Sequence, residues 1–329
     1  MVIASTMLFG FIGANAAGTT AGTVVDNSAS LTYTVGAVTQ TAVASNTDSF
    51  LVDRKIDVII AVTNSPLTTA PGTTQAELVF QVANQGNDGE TWQFSLVDNA
   101  GDDFDVDTVA DCHLFDGASD LGVFTKDVVF NKDENKTLSV KCDIPLTATN
   151  GQSAEVFLTA TIQGRPNNAG DADNQATVQN VYAEAISENG DPLNDGKYTK
   201  GGTYFIEAPV VDLTKLSCVL SDGVTTTAAN AKRIPGATVI YMFDVNNTGT
   251  TAASALTITD AIDTVTLDYG TIANVKILTD SATPCVCTNG TAATGTAGAN
   301  TGATPNVTIT GATVAADRHT CVSFEVDIK

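Results

Sequence analysis

Residues 235–260 read PGATVIYMFDVNNTGTTAASALTITD, and residues 71–98 read PGTTQAELVFQVANQGNDGETWQFSLVD. In each, a Pro-Gly pair precedes a run in which apolar and polar residues alternate. Phe243 and Val245 of one match Phe80 and Val82 of the other, and Asn247 and Gly249 match Asn84 and Gly86. Both segments then pass through an apolar stretch to an aspartate, Asp260 or Asp98. The spacing differs by a single residue between Pro-Gly and the phenylalanine, so the layout reads as an internal duplication. Pro-Gly makes a turn that starts a strand, and alternation buries one of its faces. Asn-x-Gly then turns the chain, because both residues tolerate a positive φ. Several such strands with turns at short intervals predict a β-sandwich.

The rest of the chain agrees. Its 329 residues have room for two domains, and 43% are hydrophobic, enough for a buried core. Thr and Val favour strands while Gly and Asn favour turns, so the composition points to an all-β protein.

The pattern Pro-Gly, Phe-x-Val-x-Asn-x-Gly, Leu-Thr-Ile-Thr-Asp resembles the conserved repeat domain of bacterial and archaeal surface proteins known as domain of unknown function eleven. The resemblance is good over roughly residues 209–329 and weaker over 55–165, where Asp98 keeps the terminal Asp. It implies immunoglobulin-like sandwiches in an exported protein that is structural or adhesive, and it says nothing of a ligand. The expected organisation is therefore two immunoglobulin-like β-sandwich domains preceded by an N-terminal strand segment. Residues 1–17 are a signal peptide or a retained apolar tail, and 18–54 the strand segment. Residues 55–208 are the first domain with a polar excursion over 166–208, and 209–329 the second; the excursion closes the first domain or serves as a linker, and NGDPLNDGKYT within it reads as a turn with a short strand after it.

Residues 1–16, MVIASTMLFGFIGANA, end in an A-x-A cleavage pattern but lack the usual positive start. About eleven apolar residues are too few to span a bilayer, and no other segment is a candidate. Export is the expectation, with no visible covalent anchor. The net charge of −22 repels nucleic acid and anionic membrane surfaces. The acids form a solvated surface, calcium sites, or an adaptation to salt. Six cysteines, Cys112, Cys142, Cys218, Cys285, Cys287 and Cys321, are an even number in a chain that looks exported, which makes disulfides the default. Cys112 is expected to pair with Cys142 and the other four among themselves, in one of three ways.

No catalytic constellation stands out. His113 and His319 lie near cysteines but in no metal-ligand spacing, and Trp92 fits a core strand with Phe94 and Leu96. The densest acidic stretch, with Asp98, Asp102, Asp103, Asp105 and Asp107, offers the oxygens calcium prefers; a solvated strand edge explains it equally. Asp191, Asn194 and Asp195 form a second candidate. Asn135, Asn246, Asn289 and Asn306 each open a glycosylation sequon. Lys55 and Lys215 sit where a Lys–Asn isopeptide bond could form. Residues 288–313, rich in Thr, Gly and Ala, read as a surface loop, a glycosylated region, or a loop ordered by a neighbouring subunit.

One strand arrives before its domain. In residues 21–35, AGTVVDNSASLTYTV, the side chains of Val25, Ala29, Leu31, Tyr33 and Val35 share one face. Residues 21–52 either pair with the protein's own first sandwich as an extra hairpin, or are disordered, or the strand completes the open sheet edge of another copy. Donation between copies makes the protein a structural subunit of an extracellular filament or surface layer, with copies of itself as partners. The other reading is a secreted, calcium-dependent adhesin or ligand-binding module.

Overall fold

Both Pro-Gly pairs turn the chain in the same way. Gly72 has a φ of 72° and Gly236 a φ of 82°. The amide of Thr73 donates to Ala70 O at 3.2 Å and that of Ala237 to Ile234 O at 2.9 Å. Proline at the second position and a left-handed glycine at the third define type II turns. The computed structural model describes residues 18–106 and 110–329 of this chain. Residues 1–17, read as a signal or tail, lie outside the described residues. The strands form two units, one taking in the chain up to Thr147 with Gln152–Phe205, the other Ala148–Gly151 with Ile206–Lys329.

In the first unit the sandwich strands are β1 (Val58–Val62), β2 (Leu67–Thr69), β3 (Ala76–Asn84), β4 (Glu90–Asp98), β5 (Cys112–Asp116), β6 (Ser119–Val123), β7 (Lys126–Phe130), β8 (Asn135–Cys142), β9 (Ser153–Ile162) and β10 (Lys197–Ile206). One sheet has the order β6-β5-β8-β3-β1 and the other β7-β4-β9-β10-β2. Alternation does what it predicts. Leu78, Phe80 and Val82 of β3 and Trp92, Phe94 and Leu96 of β4 are buried, while the residues between them are partly exposed. The result is a sandwich of two five-stranded sheets.

The second unit contains β11 (Val211–Ser221), β12 (Thr238–Asn247), β13 (Ala253–Ala261), β14 (Leu267–Ser281), β15 (Thr296–Ala297), β16 (Asn306–Val314) and β17 (Arg318–Ile328). The order β15-β14-β17-β12-β11 makes a five-stranded sheet, and β13 pairs with β16 alone. Phe243, Val245, Ile258, Val307, Ile309, Val314, Val322 and Phe324 fill the space between them. The protein is thus all-β, with two immunoglobulin-like sandwich units. Among the described residues the only helical turn is Ala228–Asn230.

Connectivity confirms the duplication. Taken in chain order, β1, β3, β4, β5, β6, β7 and β8 match β11, β12, β13, β14, β15, β16 and β17, with the same neighbours in each sheet. The first unit adds β2, β9 and β10.

One expectation is extended and another needs correction. The short strand expected after the turn in the excursion 166–208 is a full sandwich strand, since Lys197–Ile206 pairs along β9 from Lys197 opposite Thr161 to Phe205 opposite Ser153. The pair Gly201-Gly202 masks its length in the sequence. A Cβ on Gly202 would lie 3.0 Å from the side chains of Leu78 and Phe80, so the missing side chain lets the strand sit close on the core. Similarly, the end of the Thr/Gly/Ala-rich segment is no loop. Its Val307, Ile309 and Ala312 are buried along β16.

Candidate functional site

The early strand pairs with neither sandwich sheet. Val24–Asn27 runs antiparallel to Asp48–Leu51, Ser30–Leu31 to Val43–Ala44, and Thr34–Val35 to Val38–Thr39. Residues 24–51 are therefore one long hairpin. At its tip Gly36 and Ala37 have φ values of 56° and 66°. Two left-handed residues in a two-residue loop make a type I′ turn, whose twist matches that of the flanking strands.

Residues directly opposite in an antiparallel pair share a face. Val25 lies opposite Phe50, Leu31 opposite Val43, and Val35 opposite Val38. With Ala29 and Tyr33 these make an apolar ladder along one side. It is uncovered. Leu31 is 61% exposed, and Tyr33, Val35, Val38, Val43 and Phe50 are all exposed with it. The five residues read from the sequence as a polymerisation strand thus lie on the outgoing arm of the hairpin, and Val38, Val43 and Phe50 extend their face. A hairpin over 21–52 was one of the alternatives read from the sequence, but Val38, Val43 and Phe50 of its second arm were not singled out, because the apolar residues there are separated by Thr, Gln, Ala and Ser at irregular spacing. No residue from 27 to 47 carries a charge.

The root is fastened. Val52 and Thr23 bond, the Val52 amide donating at 2.9 Å, and Gly22 donates to Val52 O at 2.8 Å. Asn87 Nδ2 donates to Thr19 O at 3.0 Å and to Asp53 O at 2.8 Å, and Lys132 Nζ to Gly18 O at 2.6 Å. The excursion contributes too. Asn180–Tyr182 runs parallel to Arg54–Ile56, and the Leu51 amide donates to Gln175 O at 3.0 Å. A rigid base and a free apolar arm distinguish this hairpin from a loose tail.

Of the acidic stretch, Asp98, Asp102 and Asp105 bring carboxylate oxygens within 4.8 Å of one another. Burial, followed by the nearby charges of Asp102 and Asp105, pushes the Asp98 carboxyl up to about 6. Burial also raises Asp102, whose Oδ1 is enclosed with no hydrogen-bond partner while Oδ2 accepts from the Glu155 amide at 2.6 Å. The donor set suits a hard cation. Asp103 does not join it. Its Oδ2 accepts from the Ser153 amide at 2.9 Å, which ties the loop to the start of β9. Asp107 lies outside the described residues.

Asp191, Asn194 and Asp195 are not brought together as ligands. Asp191 accepts from Ser187 Oγ at 2.6 Å, Asp195 from the Lys197 amide at 2.9 Å, and the Asn194 amide faces the carbonyls of Tyr182 and Glu184. Lys55 and Lys215 meet carboxylates, Asp57 at 2.5 Å and Asp260 at 2.7 Å. All six cysteines are in disulfides, Cys112–Cys142, Cys218–Cys287 and Cys285–Cys321. Each histidine pairs with an aspartate, His113 with Asp120 and His319 with Asp244. Of the sequon asparagines, Asn135 and Asn306 are exposed and Asn246 half-buried, while Asn289 Oδ1 accepts from the Val219 amide at 3.0 Å. Among the described residues no helix is long and apolar enough to cross a membrane.

No family model matches the chain, and no curated protein does. Among solved structures it is similar to a two-domain protein of unknown function from Bacteroides fragilis, at 10% identity and a TM-score of 0.25, over 83% of this chain and 88% of that one. A likeness that loose carries no argument about this protein.

Proposed function

We propose that the protein is a structural subunit of an extracellular filament or surface layer, built from copies of itself by head-to-tail β-strand complementation. The observation that carries this reading is the apolar ladder of the 24–51 hairpin, held out on a fastened base and exposed from Leu31 to Phe50 among the described residues. An isolated two-stranded hairpin is marginal in water, and a contiguous exposed apolar face marks a contact surface. A hairpin added to the sheet edge of another copy gains main-chain hydrogen bonds, and its alternate side chains gain a dry seat. Three disulfides suit an oxidising, extracellular setting. The resemblance to surface-protein repeats points the same way.

The test compares wild type with Leu31→Asp, a charge placed mid-ladder. Sedimentation and negative-stain microscopy should show wild-type polymers at high concentration and a folded Leu31→Asp monomer. A wild type that stays monomeric, or a variant that polymerises equally well, overturns the reading. A second reading, a calcium-dependent adhesin, draws on the Asp98–Asp102–Asp105 cluster. Its mark is a monomer that binds a surface or glycan only with calcium.

A further inference from the structure

The second unit repeats the first with one sheet left short. In the first unit β4 has β7 on one edge and β9 on the other, and β10 follows β9. In the second, β13 has β16, the counterpart of β7, on one edge. Among the described residues nothing pairs with its other edge. The far edge of β16 is not equally open. The Thr301 amide donates to Thr308 O at 2.8 Å, and Asn300 Oδ1 accepts from the Thr308 amide at 2.9 Å.

The facing sheet registers the shortfall. Val58 and Ile60 of β1 lie opposite Asn84 and Val82, and Val211 and Leu213 of β11 lie opposite Asn247 and Val245. These are equivalent positions on the core side, since Val82 and Val245 are both buried. Val58 and Ile60 are 0% and 2% exposed; Val211 and Leu213 are 41% and 59% exposed. One position further, where Val62 stands opposite Phe80, the second unit has Lys215 opposite Phe243. Its ammonium lies 4.4 Å from the Tyr241 ring centre and bonds Asp260 at 2.7 Å. A cavity of about 290 Å³ opens beside it, lined by Tyr241, Ile262, Leu267 and Ile328 among others.

We infer that the 24–51 hairpin of a second copy fills this vacancy, its two arms standing where β9 and β10 stand in the first unit. The inference rests on the reading of the hairpin as donor and names the acceptor. The vacancy is two antiparallel strands wide, and the hairpin supplies two. In the first unit β9 presents Val156, Leu158, Ala160 and Ile162, all buried, to the core. The outgoing arm presents Ala29, Leu31, Tyr33 and Val35 at the same period of two. Charge agrees. Copies of −22 repel, but residues 27–47 carry no charge and β13 carries only Asp260, which Lys215 already neutralises. Donor and acceptor are different surfaces, so the contact is heterologous and each copy can both give and receive, which is what a filament needs.

The test uses two full-length variants, Leu31→Asp in the donor and Leu213→Asp in the acceptor. Leu213 is mostly exposed, so its replacement leaves the fold intact, as circular dichroism will show. Each variant alone should need at least about tenfold more protein to assemble than wild type. Mixed in equal amounts they should form a dimer and stop, because each supplies the surface the other has lost. If Leu213→Asp polymerises like wild type while Leu31→Asp does not, the acceptor lies elsewhere and the donor reading stands. If the mixture gives no dimer although each variant alone fails to assemble, the pairing inferred here is overturned. If wild type itself never assembles, the donor reading falls with it.

Discussion

Asn247 Oδ1 accepts the amide of Gly249 at 3.0 Å, and Asn84 Oδ1 accepts that of Gly86 at 3.1 Å. Both asparagines are buried, and both send Nδ2 to carbonyls of other loops: Thr251, Val314 and Ala315 in one case, Asp88 and Asn131 in the other. Asn-x-Gly is a repeated internal knot at the end of each sandwich, tying three chain segments through Asn247, which also accepts from the Val210 amide, and two through Asn84.

Replacing the knot residue should unfold its unit early. Asn247→Ala strands the Val210 and Gly249 amides and three carbonyls. The expected loss is about 3 kcal/mol in urea unfolding, against roughly 0.5 kcal/mol or less for the neighbouring Asn246→Ala.

The glycine of the knot is fixed by space. A Cβ on Gly249 would lie 2.3 Å from Ala208 O and 2.4 Å from Val210 N, and on Gly86 2.4 Å from Lys55 O. These are backbone atoms and cannot step aside cheaply. Gly249→Ala should therefore destabilise far more than Gly236→Ala, where nothing lies within 4 Å and only the positive φ resists, at about 1 kcal/mol. Thermal melts of the two variants make the comparison.

How much of this was legible in the sequence depends on the kind of signal. The repeat was, because Phe80/Phe243 and Asn84/Asn247 keep their spacing. The reason given for Asn-x-Gly was not right, as none of the four residues has a positive φ; burial and close approach hold them in place. The alternation of Val25 to Val35 was readable and a hairpin over 21–52 was among its alternatives, but the apolar residues of the return arm, Val38, Val43 and Phe50, follow no regular period. The open edge of β13 left no trace, since Leu213 reads like Ile60 and only the missing cover tells them apart. Asp103 was grouped with Asp98 by proximity in the chain, whereas β9 draws it away.

The acidic cluster should make stability depend on pH. Asp98 titrates near 6 in the folded chain, above its ordinary 3.8, so folding takes up a proton between these values. Its contribution is fully present at low pH and is lost as pH rises through about 6. Asp98→Asn should raise the melting temperature at pH 7.5 and flatten this part of the profile. Millimolar calcium should act in the same direction on wild type at pH 7.5 and less on the variant. A wild-type melting temperature indifferent to calcium removes the adhesin reading's cation.

Reduction should loosen the second unit locally. Cys285–Cys321 closes 36 residues and Cys218–Cys287 closes 69, both fastening the segment before β15 to the large sheet. Replacing the first pair by Ser should cost about 2–4 kcal/mol, measured by denaturant unfolding.

Amide hydrogen exchange over residues 24–51, followed as protein concentration is raised, addresses the central claim most directly. Strand complementation predicts fast exchange in the dilute chain, and strong protection along both arms once copies associate, with Leu31→Asp remaining fast at every concentration. Exchange that stays equally fast in associated wild-type protein would contradict the account.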